Sequence, residues 1–167
     1  MVMDPPYPRL IPASRTPGIM LGIGLGGFAD GILFHQVLRW HDMGSSVVPP
    51  TTMATMRQNI IWDGWFHVAM LVLTTIGAYA LLRDARRRVE LPTPRAFTGL
   101  LLLGWGIFNL VEGIVDHHIL GLHHVRDLPV HKPVYDWIFL AMGGVGLILV
   151  GWLMARGSVG RPATTRH

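Results

Sequence analysis

The apolar residues of this chain are concentrated in four long segments, which polar and proline-containing stretches separate. The segments span residues 18–38, 60–82, 97–120 and 134–155. Each is about as long as the ~20 residues that a helix needs to cross the hydrocarbon core of a bilayer. The pattern predicts an all-α fold with a single integral membrane domain over residues 18–155 and tails at residues 1–17 and 156–167.

The chain also repeats itself. The stretch DGILFHQVLRWHDM begins at Asp30, and EGIVDHHILGLHHV begins at Glu112, so the two align without a gap. Packing alone gives no reason to duplicate acids and histidines, so the repeat points to chemistry that both halves share. The matched pairs are Asp30 with Glu112, His35 with His117, and His41 with His123. The second helices agree more weakly, where Trp62, Asp63 and Phe66 match Tyr135, Asp136 and Phe139.

A helix pair begins and ends on the same side of a membrane, so two tandem copies have parallel topology. We therefore expect a four-helix bundle built from residues 18–82 and 97–155, with a pseudo-two-fold axis along the membrane normal. Small residues let helices approach closely, and five glycines are placed for such contacts: Gly18, Gly22, Gly26, Gly143 and Gly146.

The two copies differ at two ionisable positions. His67 corresponds to Leu140, and Asp116 corresponds to Phe34. A site on the axis is therefore expected to be asymmetric.

Basic residues are distributed unequally along the chain. Of the 14 Lys and Arg residues, ten fall in the two tails and the second connection, and four fall in the first and third connections. Because basic loops remain in the cytoplasm, both termini are predicted to be cytoplasmic. The high isoelectric point then reflects membrane-flanking arginines, so we expect the lipid bilayer as a partner and no nucleic acid. The chain has no cysteine, which excludes disulfides and thiolate metal sites.

On that topology most ionisable side chains gather near the outer face. Eight of the nine histidines and seven of the ten acids fall at the outer helix ends or in the outer loops. Burying such groups costs several kcal/mol each unless they are paired, hydrated or metal-bound, so the cluster indicates a functional site. The candidate metal ligands are Asp30, His35, Asp63, His67, Glu112, Asp116, His117 and His123. His118, His124 and His131 are interpreted as solvated loop residues.

Helical geometry predicts which candidates share a face. Asp63 and His67 are four residues apart and lie together. Glu112 and Asp116 form a stripe, which includes His123 if the helix continues that far. In an α-helix, by contrast, His35 lies about 140° from Asp30.

Facing histidines and carboxylates in a helix bundle form metal sites. Mixed imidazole and carboxylate ligands suit a divalent ion such as Zn, Fe or Mn, and imidazole also suits Cu. The sequence thus predicts a divalent metal site of undecided identity and nuclearity. It leaves open whether the protein is an enzyme.

Other functions use the same residues. The acid–histidine network fits an ion or proton transporter, although the inner halves of the helices hold few polar residues. His35 and His117 fit a bis-histidine haem. A factor that delivers metal to a respiratory complex is a further alternative. The candidate protein partners are such a complex or further copies of this chain.

Three motifs carry a resemblance over nearly the whole chain: GGFADGILFHQVLRWHDM, WDGWFH and FNLVEGIVDHHILGLHHVR. With them the chain resembles a family of small bacterial membrane proteins known only as a domain of unknown function. The resemblance implies a four-helix integral membrane protein of bacterial origin, and hence an inner-membrane location. It implies no activity.

Overall fold

The regular structure of the protein is helical. The computed structural model describes residues 11–156, in which four helices are long and apolar enough to cross a membrane. They are α1 (Thr16–Val37), α2 (Met53–Arg86), α3 (Pro94–Ile119) and α4 (Val134–Ala155). This confirms the predicted all-α fold with four spans. Most of the two predicted tails, including Arg9, Arg161 and Arg166, lies outside the described residues.

Local sequence signals explain where two helices begin. The Thr52 hydroxyl caps α2 by accepting a hydrogen bond from the Thr55 amide, and the Thr55 side chain caps the Thr52 amide in return. The Thr93 hydroxyl caps α3 by accepting a hydrogen bond from the Ala96 amide, and Pro94 occupies the first turn, where its missing N–H is not needed. These starts fix the lengths of the 38–52 connection and of the turn between α2 and α3.

Helices α1 and α3 form the centre of the bundle. They pack on each other, α2 packs against α1, and α4 packs against α3. In the most apolar part of each helix, 44% of the residues are buried in α1 and α3, against 11% in α2 and 17% in α4. The exposed apolar faces of α2 and α4 are thus the surfaces that face lipid.

The central helices touch through glycine. A Cβ atom on Gly22 would fall against the Leu101 carbonyl oxygen, and one on Gly104 would fall against the Ile19 carbonyl oxygen. Gly18 and Gly26 face α3 too, so the predicted stripe on α1 lies in this contact. Gly143 faces Asn109, whereas Gly146 lies near Ala141 of its own helix.

We expect Gly22→Ala to destabilise the protein by about 1–3 kcal/mol, because its methyl group must push α1 away from the Leu101 carbonyl. The matched control is Gly64→Ala, since a Cβ there meets no atom within 4 Å. Thermal unfolding in detergent measures both. Equal midpoints for the two variants would contradict the close crossing of α1 and α3.

The ends of α1 and α3 are π-helical, over Gly31–Val37 and Gly113–Ile119. The Leu38 amide donates to the Leu33 carbonyl at 2.8 Å, and the Leu120 amide donates to the Val115 carbonyl at 2.8 Å, which is one residue further back than in an α-helix. Such segments are rare and frequently lie at functional sites.

This geometry corrects one prediction and decides a conditional one. The wider π-helical turn brings residues five apart onto nearly the same face, so Asp30 and His35 are neighbours instead of lying about 140° apart. Helix α3 ends at Ile119, so the condition for including His123 in the stripe of Glu112 and Asp116 is not met. His123 reaches the site from the 120–133 connection.

Candidate metal centre

Four histidines meet at one end of the bundle, under the 38–52 and 120–133 connections. We call this the connection end, and we call His35, His41, His117 and His123 the histidine cluster. Each of the four is at most 3% exposed. Neighbouring rings have centroids 4.4, 4.5 and 4.9 Å apart. Burying polar nitrogen atoms is costly unless they have partners, so those partners decide what the cluster can do.

Backbone carbonyls orient two of the rings. His41 Nδ1 donates to the Val125 carbonyl at 2.9 Å, and His123 Nδ1 donates to the Met43 carbonyl at 3.1 Å. Each connection therefore anchors the histidine of the other. The Nε2 atom of His41 has no hydrogen-bond partner among the described residues, whereas that of His123 faces Glu112.

Carboxylates from α2 and α4 lie against the other two rings. His35 Nδ1 donates to Asp63 Oδ1 at 2.9 Å, and His117 Nδ1 lies 3.4 Å from Asp136 Oδ1. Each acid also accepts a backbone amide at 2.8 Å, Asp63 from Met43 and Asp136 from Val125. Asp63 and Asp136 thus tie the outer helices to the connections and orient the histidines.

Two further acids lie on the Nε2 side. Glu112 Oε1 is 2.8 Å from His123 Nε2 and 2.9 Å from His117 Nε2. Asp30 Oδ2 is 3.3 Å from His35 Nε2. Asp30 is one methylene shorter than Glu112, which accounts for His41 Nε2 having no hydrogen-bond partner among the described residues.

Several buried atoms of the cluster lack hydrogen-bond partners within residues 11–156. They are the Nε2 atoms of His35 and His41, both ring nitrogens of His117, and Glu112 Oε2. An unsatisfied buried polar atom costs about 1–3 kcal/mol. Two overlapping sets place one ligand atom per residue within 4.8 Å of one another. The sets are His35 with His41 and His123, and Glu112 with His117 and His123.

The pKa values of the two connection histidines, His41 and His123, are shifted in opposite directions. Burial lowers the pKa of His41 well below its ordinary value, and the charges of His123 and His35 lower it further. Burial also opposes protonation of His123, but the hydrogen bond and the charge of Glu112 outweigh it and raise the pKa. At neutral pH His41 is therefore a neutral imidazole with a free Nε2 lone pair.

The predicted candidates divide by position. Asp30, His35, Glu112, His117 and His123 come together in or against the histidine cluster. Asp63 stands behind His35, on its Nδ1 side.

His67 and Asp116, the two candidates without an ionisable counterpart in the other copy, lie beside the histidine cluster. His67 Nδ1 donates to its own helix at the Asp63 carbonyl, 2.8 Å away, and its ring stacks on Phe28. Asp116 is half-buried and lines, with Glu112, an otherwise apolar cavity of about 310 Å³.

Two residues of the site are absent from the sequence-based candidates. His41 lies in a connection, where hydrophobic periodicity assigns no face. Asp136 lies in the first turn of α4. The signal for both was the repeat, because His41 matches His123 and Asp136 matches Asp63.

Comparison with known families gives the chain its class. The family described as "Predicted membrane protein (DUF2243)" matches residues 17–158. The chain belongs to DUF2243. The match covers all but the first residue of the four helices and includes the whole histidine cluster, so this DUF2243 member is a membrane protein whose family-matched region contains the site. No curated protein and no solved structure matches it.

Proposed function

We propose that this DUF2243 protein is a multi-pass membrane protein that holds a divalent metal ion in the histidine cluster. His35, His41, His117 and His123 supply imidazole nitrogen, and Glu112 and Asp30 supply carboxylate oxygen. The carrying observation is that Nδ1 of His35, His41 and His123 hydrogen-bonds a carboxylate or carbonyl oxygen, while Nδ1 of His117 lies 3.4 Å from Asp136 Oδ1. That arrangement fixes the ring and leaves Nε2 as the ligand atom, as in protein metal sites generally.

The ring spacing supports the proposal. A metal–nitrogen distance of about 2.1 Å places an imidazole centroid about 3.2 Å from the ion, so two rings on one ion lie about 4.5 to 6.4 Å apart. The measured pairs in the cluster span 4.4 to 6.4 Å. The donors are nitrogen and oxygen only, which suits Zn, Fe or Mn, and imidazole also suits Cu.

A duplicated architecture accounts for this site. The contacts are reciprocal, since His41 bonds to the Val125 carbonyl and His123 bonds to the Met43 carbonyl. The π-helical ends fall at equivalent positions of both copies, at Gly31–Val37 and Gly113–Ile119. These pairs support two tandem helix-pair repeats around a pseudo-two-fold axis. With both termini cytoplasmic, as the basic residues suggest, the centre lies in the outer half of the membrane.

The distribution of polar groups favours a metal centre over a transport path. Among the described residues, nearly all buried polar side chains lie at the connection end. The two exceptions are Asn109 and Asp84, which lies at the opposite end of α2. A path for ions across a bilayer needs polar groups along its length.

Haem is also disfavoured, because it needs an open slot between its two axial histidines. His41 and His123 stack with centroids 4.5 Å apart and lie within 6.4 Å of both His35 and His117.

We expect Asp63→Asn to weaken metal binding by about 10- to 100-fold, because it removes the charge that orients His35 and strengthens its Nε2 as a ligand. Competition with a chromophoric zinc chelator measures the affinity. The matched control is Asp84→Asn, which changes an equally buried aspartate that pairs with Arg83 instead. Wild-type affinity in Asp63→Asn would argue against an orienting role, and an equal loss in Asp84→Asn would argue for general damage.

A further inference from the structure

A third histidine and carboxylate group lies outside the histidine cluster, on the 120–133 connection and the start of α4. His124, His131 and Asp136 each place one ligand atom within 4.8 Å of the others. The two imidazole centroids are 4.2 Å apart. His124 Nδ1 lies 3.1 Å from Asp136 Oδ2, yet this nitrogen has no hydrogen-bond partner in the described part of the chain. Close donor atoms without hydrogen-bond geometry are the arrangement expected around a shared ion.

This group is open to solvent on one side. The side chain of His131 is 41% exposed and that of His124 is 27% exposed, whereas that of Asp136 is 3% exposed. The group therefore runs from the surface of the connection end into the interior. An ion held there keeps contact with water, in contrast to one in the buried cluster.

Asp136 connects the two regions. Its Oδ2 faces His124, and its Oδ1 lies 3.4 Å from Nδ1 of His117 in the histidine cluster. The other half of the chain lacks this feature, since Asp42 stands where the repeat would place a counterpart of His124.

We infer that His124, His131 and Asp136 form a second divalent metal site, which exchanges its ion with solvent and loads the buried centre. Two histidines and one carboxylate are a sufficient ligand set for Zn or Fe(II), with the remaining positions filled by water. Because this site has fewer protein ligands and is open to solvent, it binds its ion more weakly and releases it faster than the buried centre does. Binding at the surface does not depend on the proposed function, whereas the loading role rests on it.

Zinc titration of the purified full-length protein in detergent tests the binding. The wild type is expected to bind one equivalent of zinc per chain in addition to any metal that it retains through purification. Gel filtration is expected to remove this added equivalent. His131→Ala is expected to lose that equivalent and to unfold at the wild-type temperature, because His131 is an exposed side chain. The matched control is His118→Ala, an exposed histidine whose ring lies against Trp137. It is expected to keep the exchangeable equivalent.

The loading role is tested by following zinc uptake into chelator-treated protein at limiting zinc. We expect His131→Ala to fill the buried centre at least about tenfold more slowly and to reach the same final occupancy. Absence of the exchangeable equivalent in the wild type, or its persistence in His131→Ala, would overturn the site. Wild-type uptake kinetics in His131→Ala would overturn the loading role. Exchangeable zinc without any retained metal would support the surface site and count against the buried centre.

Discussion

Replacing His41 and His123 together by alanine is expected to remove at least about nine-tenths of the metal that the purified protein retains. The two rings are the inner members of the cluster. His123 belongs to both sets of close ligand atoms, and His41 belongs to the set with His35. Neither His41 nor His123 lies in a helix, so the substitution leaves the four spans unaltered. Elemental analysis of metal per chain measures the loss.

The control for this experiment is His67→Ala. His67 is a histidine of the same end of the bundle, but it hydrogen-bonds its own helix and stacks on Phe28. Its replacement is expected to leave metal content unchanged. Equal metal content in the wild type and the double variant would show that any bound metal sits elsewhere.

Stripping the metal from the wild type is expected to lower its thermal unfolding midpoint by about 10 °C. A ligand present at a thousand times its dissociation constant stabilises a protein by about 4 kcal/mol, and a domain of this size shifts by about 2–4 °C per kcal/mol. Removing the ion also leaves buried Nε2 atoms without partners. Differential scanning fluorimetry before and after chelator treatment gives the shift, and adding the metal back should reverse it.

The His41→Ala, His123→Ala double variant serves as the reference for this shift, because it has little metal to lose. Its midpoint should not respond to the chelator. If the chelator also leaves the wild-type midpoint unchanged, no bound ion contributes to the stability of the folded state.

Much of the fold follows from the sequence. Four apolar segments of membrane-spanning length predict the four helices. The structure places α1, α3 and α4 within three residues of the expected bounds, whereas α2 begins seven residues earlier and ends four residues later than expected. The glycine stripe on α1 predicts the close contact that Gly22 makes with α3. These features depend on local composition, which a single sequence contains.

The site can be predicted from the sequence only in part, because its geometry depends on backbone conformation that the sequence pattern does not show. Periodicity calculated for an α-helix separates Asp30 from His35, whereas the π-helical end of α1 brings their side chains to 3.3 Å. A spacing of five residues between acid and histidine, present in both copies, is the sequence feature that matches this turn. The connections add His41 and His123, and no helical pattern places residues in a connection.

The two acids behind the cluster illustrate the same limit. Asp63 and Asp136 lie on different helices, α2 and α4, yet each accepts an amide from a connection and faces a histidine. A sequence indicates that such acids are buried near histidines, but only the structure distinguishes an orienting carboxylate from a ligand. The difference determines which variant is expected to abolish binding and which to weaken it.

X-ray absorption spectroscopy of the wild-type protein, purified without added metal, tests the central claim most directly. The account predicts an edge from one divalent transition metal, a first shell of nitrogen and oxygen at about 2.0–2.2 Å, and the outer-shell scattering of several imidazole rings. An absorption edge too weak for about 0.2 metal ions per chain would contradict the proposed centre, as would a first shell without imidazole.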